Sequence, residues 1–120
     1  MSDAIHAHDP DCLFCKIIKG EIPGKKVFED DRFYVIEDIN PQAPVHLLIL
    51  PKKHMATLLE VGETDHELMG AAFSVANRVA QKNKLASYRI AVNCGAEAGQ
   101  SVFHIHFHLL GGRAMNWPPG

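Results

Sequence analysis

From residue 103 to residue 109, apolar residues and histidines alternate along the chain. Because successive side chains of a β-strand point to opposite faces of a sheet, the alternation predicts a strand over residues 102–110. Its apolar face would hold Phe103, Ile105, Phe107 and Leu109, and its other face would hold His104, His106 and His108. At about 3.3 Å per residue, the histidines would form a column of imidazoles about 13 Å long.

Other patterns predict further strands and several helical segments. Strands are predicted at residues 26–29, 32–38, 45–50 and 88–93, and helical segments at residues 12–18, at residues 57–60 and from residue 64 to about residue 83. Thr64 and Glu67 have capping-box spacing, which places the start of the long helix at Thr64. The combination favours an α+β domain with an antiparallel sheet of about five strands, one long helix and one short helix.

The long helix carries a wide apolar stripe. The stripe consists of Leu68, Met69, Ala72, Phe73, Val75, Ala76, Val79 and Ala80. Packing against one sheet requires a narrower face, so part of the stripe is predicted to contact a partner subunit.

The length and net charge of the chain exclude several classes of protein. The chain has 120 residues and is predicted to form one domain over residues 12–120, with a flexible lead-in at residues 1–11 and a tail at residues 113–120 that has no core pattern. The net charge of −2 provides no basic field for nucleic acid. No apolar run approaches the roughly 18 residues of a membrane helix, and the polar start is unlike a signal peptide. We therefore expect a cytoplasmic protein with reduced cysteines.

Histidines in this pattern suggest chemistry at phosphorus. A neutral imidazole, whose ordinary pKa is about 6.5, is unprotonated near pH 7 and can attack a phosphoryl centre directly. A structural role for the three histidines and a column of metal ligands are the alternatives. The loop at residues 95–101, rich in glycine, precedes the histidines and predicts a cradle of main-chain N–H groups for a phosphate.

Cys12 and Cys15 form a second candidate site. Two cysteines separated by two residues can hold one zinc ion, but a structural zinc site needs four ligands. The chain has no second cysteine pair, so histidines would have to complete the set. The alternative is two reduced cysteines packed in a short helix.

The segment from His104 to Leu110 resembles the His-φ-His-φ-His-φ-φ motif of the histidine-triad superfamily, where φ is an apolar residue. Further similar segments lie at residues 28–31, 38–44, 49–54 and 98–101. The ending, with Leu-Gly-Gly-Arg at residues 110–113 and Trp-Pro-Pro-Gly at residues 117–120, is similar to the Hint branch of purine nucleoside phosphoramidases.

This resemblance implies an enzyme that hydrolyses the P–N bond of purine nucleoside phosphoramidates without a catalytic cofactor. It implies that His106 is the nucleophile and forms a nucleotidyl-histidine intermediate. It places His104 behind His106 in the hydrogen-bond network, His108 on the phosphate and leaving-group side, and His46 near the triad. It also implies a homodimer whose two sheets join across the interface.

The resemblance further implies a binding site for a purine nucleotide of the AMP or GMP type. The phosphate site would be lined by Asn93, Gly99, Gln100 and Ser101, and the base by Phe14, Ile17, Ile22, Ile39 and Leu48. Asp38 would hold the ribose hydroxyls. From the pattern alone, Asp38 fits a turn-capping aspartate equally well, and ordinary core packing explains the apolar residues.

In zinc-bearing relatives, residues matching His54 and His104 complete the tetrahedron begun by the cysteine pair, so the resemblance implies a structural zinc on Cys12, Cys15, His54 and His104. It also implies that Trp117 packs across the dimer and shapes leaving-group preference. Two alternative functions remain at this point. One is a dinucleoside polyphosphate hydrolase or nucleotidyl transferase of the same superfamily, and the other is a nucleotide-binding regulatory or scaffold protein. The Trp-Pro-Pro-Gly tail favours the phosphoramidase.

Overall fold

The computed structural model describes residues 9–120, and the predicted α+β fold is confirmed. The helices are α1 (Leu13–Ile18) and α2 (His66–Lys82), and the strands are β1 (Lys26–Glu29), β2 (Phe33–Glu37), β3 (Val45–Pro51), β4 (Arg89–Ala91) and β5 (Phe107–Gly111). Two 3₁₀ turns, Leu58–Glu60 and Glu63–Asp65, precede α2. No helix within residues 9–120 combines the length and the apolar character that crossing a bilayer requires.

The strands form one antiparallel sheet in the order β1-β2-β3-β5-β4. Helix α2 packs on one face, where the main core contains Val35, Ile49 and Val79. Helix α1 covers the opposite face, where its Phe14 packs in a second cluster with Leu48. Alternation along β3 therefore serves both clusters, which explains why this strand has an almost unbroken apolar sequence.

The predicted histidine strand is only partly correct. Strand β5 begins at Phe107, so His104 and His106 lie in an irregular segment before it. In the register of β3 and β5, Ile49 faces Phe107, and two positions further along the strands the same register would set Ile105 opposite Pro51. Proline has no N–H to donate to the ladder, and the N–H of Ile105 donates instead to Met55 O at 2.9 Å. The apolar face also ends here, because Phe103 is exposed.

The predicted capping box at Thr64 is wrong. Helix α2 begins at His66, and its N-cap residue, Asp65, makes no side-chain cap bond to the helix. Asp65 Oδ2 instead accepts the N–H of Gly62 at 3.0 Å and so caps the preceding 3₁₀ turn, Glu63–Asp65. Asp65 is buried and its Oδ1 accepts from Lys53 Nζ at 2.6 Å, so the ion pair fixes the carboxylate in the capping position. Together these bonds hold the pKa of Asp65 below its usual value.

Gly111, at the end of β5, lies close to the Leu85 side chain. A Cβ atom on Gly111 would lie 2.6 Å from Leu85 Cδ1, whereas a Cβ atom on Gly70, in α2, would meet no atom within 4 Å. We expect Gly111→Ala to lower the free energy of unfolding by about 1–3 kcal/mol through overpacking. Gly70→Ala is the matched control and should raise it by about 0.5–1 kcal/mol. Urea unfolding curves measure both, and equal stability of the two variants would contradict the prediction.

Candidate active site and metal centre

His106 presents one unprotonated ring nitrogen. Its Nδ1 lies 2.8 Å from the main-chain oxygen of His104. A carbonyl oxygen only accepts, so the proton of the neutral ring is on Nδ1 and the lone pair is on Nε2. The side chain is 7% exposed and its ring meets the Phe14 ring edge-on, with centroids 5.0 Å apart. The lone pair on Nε2 is the form of imidazole that can act as a nucleophile, and the role of His106 stays a prediction.

A chain of hydrogen bonds fixes the protonation of His108. The main-chain N–H of Gln42 donates to His46 Nδ1 at 3.0 Å, so the proton of neutral His46 is on Nε2. His46 Nε2 lies 2.9 Å from His108 Nδ1 and 3.3 Å from Asp38 Oδ2. His46 therefore donates to His108, and the proton of His108 is on Nε2, the nitrogen that faces away from His46.

The same arrangement argues against a metal ion between Asp38, His46 and His108, although their ligand atoms lie within 4.8 Å of one another. A histidine binds a metal through an unprotonated nitrogen. Freeing His46 Nε2 would move its proton to Nδ1, where it would meet the N–H of Gln42. The three residues therefore form a hydrogen-bonded group.

Burial favours the neutral forms of His106 and His108. Burial lowers the pKa of His106, although the bond to the His104 carbonyl and the charge of Asp38 oppose the shift. Burial, with repulsion from His106 and His46, lowers the pKa of His108 to about 4. A neutral His106 is the reactive form, and a neutral His108 offers an N–H donor through Nε2.

The depressed pKa of His108 predicts a pH-dependent stability. Between pH about 4 and about 6.5, the unfolded chain binds a proton at this residue and the folded protein does not. The free energy of unfolding should therefore rise as the pH is raised through this window, and the contribution should be complete above it. An NMR titration of the His108 ring checks the cause, and a midpoint near 6.5 in the folded protein would contradict it.

The phosphate-site residues occupy the loop before the triad. Gly99 has φ +105°, and a Cβ atom there would lie 3.2 Å from Asn93 Nδ2, so glycine allows the loop to approach Asn93. Gln100 is buried and braces this loop, because its Nε2 donates to Ala56 O at 2.7 Å and its Oε1 accepts from Gly95 N at 2.8 Å. Ser101 is exposed. A phosphate contact by the Gln100 side chain would thus compete with loop-bracing bonds, whereas Ser101 is accessible.

The residues expected to surround the base have different environments. Phe14, Ile17 and Leu48 are buried in the cluster beneath α1, and Ile22 packs against it. Ile39 is 100% exposed, so it is not a core residue. A fully exposed isoleucine beside Asp38 is available to a ligand, and its contact with a base stays a prediction.

The four predicted zinc ligands converge on one point. Cys12 and Cys15 lie at the start of α1, His54 follows β3 and His104 precedes β5. The ligand atoms lie within 4.8 Å of one another. Nδ1 of His104 is 3.3 Å from Cys12 Sγ, 3.6 Å from Cys15 Sγ and 3.2 Å from His54 Nδ1. His54 Nδ1 is 3.4 Å from Cys15 Sγ.

These distances fit a tetrahedral zinc site. Zinc bonds of about 2.0–2.1 Å to nitrogen and about 2.3 Å to sulfur place two nitrogens about 3.3 Å apart and a nitrogen and a sulfur about 3.5 Å apart. The protonation also fits, because His104 Nε2 donates to Pro51 O at 2.7 Å, which places the proton of the neutral ring on Nε2 and leaves Nδ1 in the unprotonated form that binds a metal. Burial raises the pKa of Cys15 to about 11, and a cation bound here would favour the thiolate instead.

Sequence patterns missed the groups that orient the histidines. Gln42, Pro51 and the carbonyl of His104 act through main-chain atoms. Every residue carries a main-chain carbonyl, so no residue-type pattern distinguishes these positions. Only the path of the chain in space identifies them.

A profile of the HIT domain matches residues 19–115 of the chain. The chain belongs to the HIT domain family. A 14 kDa zinc-binding protein of Zea mays is 50% identical over 115 residues, covering 93% of this chain and 90% of that protein. The crystal structure of a HIT family hydrolase from Legionella pneumophila has a TM-score of 0.90 and 52% identity, covering 92% of this chain and 100% of that chain. A histidine triad nucleotide-binding protein from Candida albicans has a TM-score of 0.71 and 34% identity, covering 90% and 83%.

The superfamily predicted from the sequence is thus confirmed, and the maize relative agrees with structural zinc on the Cys-His cluster of this HIT domain. The Hint branch stays a prediction. Within the described protomer, the HIT domain's tail lies beside β4, where Arg89 donates to Asn116 O at 3.0 Å and its guanidinium lies 5.9 Å from the Trp117 ring. Trp117 is 81% exposed there, and its contact with a second subunit also stays a prediction.

Proposed function

We propose that this protein is a hydrolase of the Hint type that cleaves the P–N bond of purine nucleoside phosphoramidates. The observation that carries the proposal is the protonation of His106, whose Nδ1–H is held by the His104 carbonyl and whose Nε2 carries the lone pair. The Legionella relative described as a hydrolase and the Candida relative described as nucleotide-binding support the reaction class and the ligand class.

In the proposed first step, His106 Nε2 attacks the α-phosphorus and the P–N bond breaks. The product is a nucleotidyl-histidine, and the amine leaves with one additional proton. In the second step, water attacks the same phosphorus, the bond to His106 breaks, and AMP or GMP is released. The N–H groups of Gly99 and Gln100 donate to Ala96 O and Gly95 O within the loop. The exposed Ser101 and the Nε2–H of His108 are therefore the proposed donors that stabilise the charge developing on the phosphoryl oxygens.

His46 and His108 are proposed to supply the proton to the amine. An anionic phosphoryl group favours the protonated form of a nearby imidazole, so substrate binding promotes uptake of one proton by this pair. Asp38, whose Oδ2 lies 3.3 Å from His46 Nε2, balances the charge. The pair gives this proton to the amine in the first step, and the attacking water returns one in the second.

Asp38 is also proposed to bind the ribose hydroxyls. Its Oδ1 accepts the N–H of Asn40 at 2.8 Å, which fixes the carboxylate at the start of the loop that follows β2. A carboxylate has further lone pairs, so these contacts leave acceptors for two hydroxyls. The exposed side chain of Ile39 is next in the chain and would contact the base.

We further propose that the protein acts as a homodimer in which the two sheets join. Strand β4 lies at an edge of the described sheet, and Phe73 on α2 is exposed. An edge strand offers main-chain groups to a second copy, and an exposed aromatic side chain on a helix favours contact with a partner.

Substrate selectivity tests the proposal. We expect hydrolysis of adenosine 5′-phosphoramidate and of a lysine-linked analogue to AMP, with little cleavage of diadenosine tetraphosphate. Chromatography separates the two reactions, because the phosphoramidates yield AMP as their nucleotide product, whereas diadenosine tetraphosphate also yields a nucleotide with more phosphates, such as ATP. Preferred cleavage of the dinucleotide would identify a polyphosphate hydrolase instead. Tight binding of AMP without turnover of either substrate would identify a nucleotide-binding protein.

A further inference from the structure

The main chain of Gln42 is held from two sides. Its N–H donates to His46 Nδ1 at 3.0 Å, and its carbonyl accepts from Arg113 Nε at 3.1 Å. Arg113 follows the glycine pair that ends β5, and its Nη1 also donates to Ala114 O at 2.8 Å. The guanidinium therefore bridges the first residues of the tail and the loop between β2 and β3.

The position of the Gln42 N–H matters because it determines which ring nitrogens carry protons. With Gln42 donating to His46 Nδ1, His46 donates through Nε2 to His108 Nδ1, and His108 retains its proton on Nε2. If the Gln42 N–H moved away, Asp38 Oδ2, 3.3 Å from His46 Nε2, would still favour a proton on Nε2, but the Nδ1 tautomer would be populated as well. His108 would then present a lone pair, rather than an N–H, to an anionic phosphoryl group in part of the population.

The loop that carries Gln42 also meets the end of β5 at Pro44, which packs against Gly112 without restraining the Gln42 peptide directly. Gln42 and Arg113 are exposed, whereas His46 is buried and fixed in β3. The side-chain amide of Gln42 donates only to Asn40 O, within the same loop. Among the described residues, the bond from Arg113 Nε to the Gln42 carbonyl is thus the hydrogen bond that connects the Gln42 main chain to the end of β5.

We propose that Arg113 is a positioning residue that, through the Gln42 main chain, sets the tautomers of His46 and His108. This inference rests on the proposed function only for its effect on turnover, since the tautomers are properties of the free protein. Through Arg113, the tail would influence the protonation of His108, on the leaving-group side of the site, in its own subunit.

Arg113→Met tests the inference, and Arg89→Met is the matched control. Each substitution removes one positive charge and the guanidinium bonds to main-chain oxygens, two for Arg113 and one for Arg89, and of these two arginines only Arg113 contacts Gln42. Long-range ¹H–¹⁵N spectra near pH 8, above the ordinary imidazole pKa of about 6.5, distinguish protonated from unprotonated ring nitrogens. We expect wild type and Arg89→Met to show His46 and His108 protonated on Nε2, and Arg113→Met to show a mixture of tautomers.

Gln42→Pro provides a second route, because it removes the N–H itself and leaves Arg113 in place. It should produce the same change in the His46 and His108 signals. Unchanged signals in Arg113→Met, whatever the result for Gln42→Pro, or an equal change in Arg89→Met, would overturn the inference.

Kinetics then separate this inference from the proposed function. With a phosphoramidate substrate, Arg113→Met should lower kcat by about threefold to tenfold, which is the effect of one hydrogen bond, with KM changed by less than about twofold. A higher KM with an unchanged kcat, together with wild-type tautomers, would mean that Arg113 only supports the tail. A tautomer change in a protein that cleaves no phosphoramidate would uphold the inference and reject the proposed reaction.

Discussion

His106→Asn should lower kcat for phosphoramidate hydrolysis by at least about 10³-fold, the largest effect expected of any single substitution in this chain. The reason is that the nucleophilic Nε2 is removed, while the asparagine amide can still donate to the His104 carbonyl in place of Nδ1. The fold and the nucleotide site should remain, so AMP should still bind. Steady-state kinetics give the loss, and calorimetry with AMP measures the binding.

A covalent intermediate provides the more specific measurement. Wild-type protein quenched in base during turnover should carry a nucleotidyl group on the peptide that contains His106, and His106→Asn should carry none. His66→Ala is the control, because His66 is an exposed histidine at the start of α2 and lies outside the site. Full activity in His106→Asn, or an adduct on another residue, would reject His106 as the nucleophile.

The histidine motif shows which structural features the residue pattern predicts correctly and which it does not. Alternation correctly placed Phe107 and Leu109 in the core and brought His104, His106 and His108 to one region. It wrongly extended the strand, since Pro51 in the partner strand offers no N–H to pair with Ile105. The departure from regular structure lets the carbonyl of His104 accept from the Nδ1 of His106, a bond between residues two apart.

The metal cluster was predictable for a different reason. A cysteine pair two residues apart is a local pattern, and the resemblance supplied His54 and His104 from distant parts of the chain. The sequence pattern of Gln42, in contrast, indicates only a loop with two prolines nearby. Its contact with His46 depends on how the chain turns between β2 and β3, so it becomes visible only in three dimensions.

Removal of the metal should produce the largest change in stability. Cys15→Ser leaves an oxygen in place of a buried thiolate ligand, so zinc affinity should fall by at least about 10²-fold. For wild type, a metal present at about 1,000 times its Kd contributes about 4 kcal/mol to the folded state. In a domain of this size that contribution corresponds to roughly 10–20 °C in Tm. Calorimetric unfolding, with metal content measured on protein purified without chelator, checks both quantities.

Cys94→Ser is the matched control, because Cys94 is the remaining cysteine and does not belong to the cluster. Its metal content and Tm should equal those of wild type, and a chelator should lower its Tm by the same amount. The chelator should have little effect on Cys15→Ser, which has already lost the ion, and added zinc should restore only the proteins with four ligands. This pattern separates loss of a metal ligand from loss of packing, since packing alone would lower the Tm of Cys15→Ser and leave its response to chelator unchanged. Wild-type protein without bound metal, and with the same Tm before and after zinc addition, would contradict structural zinc at this centre.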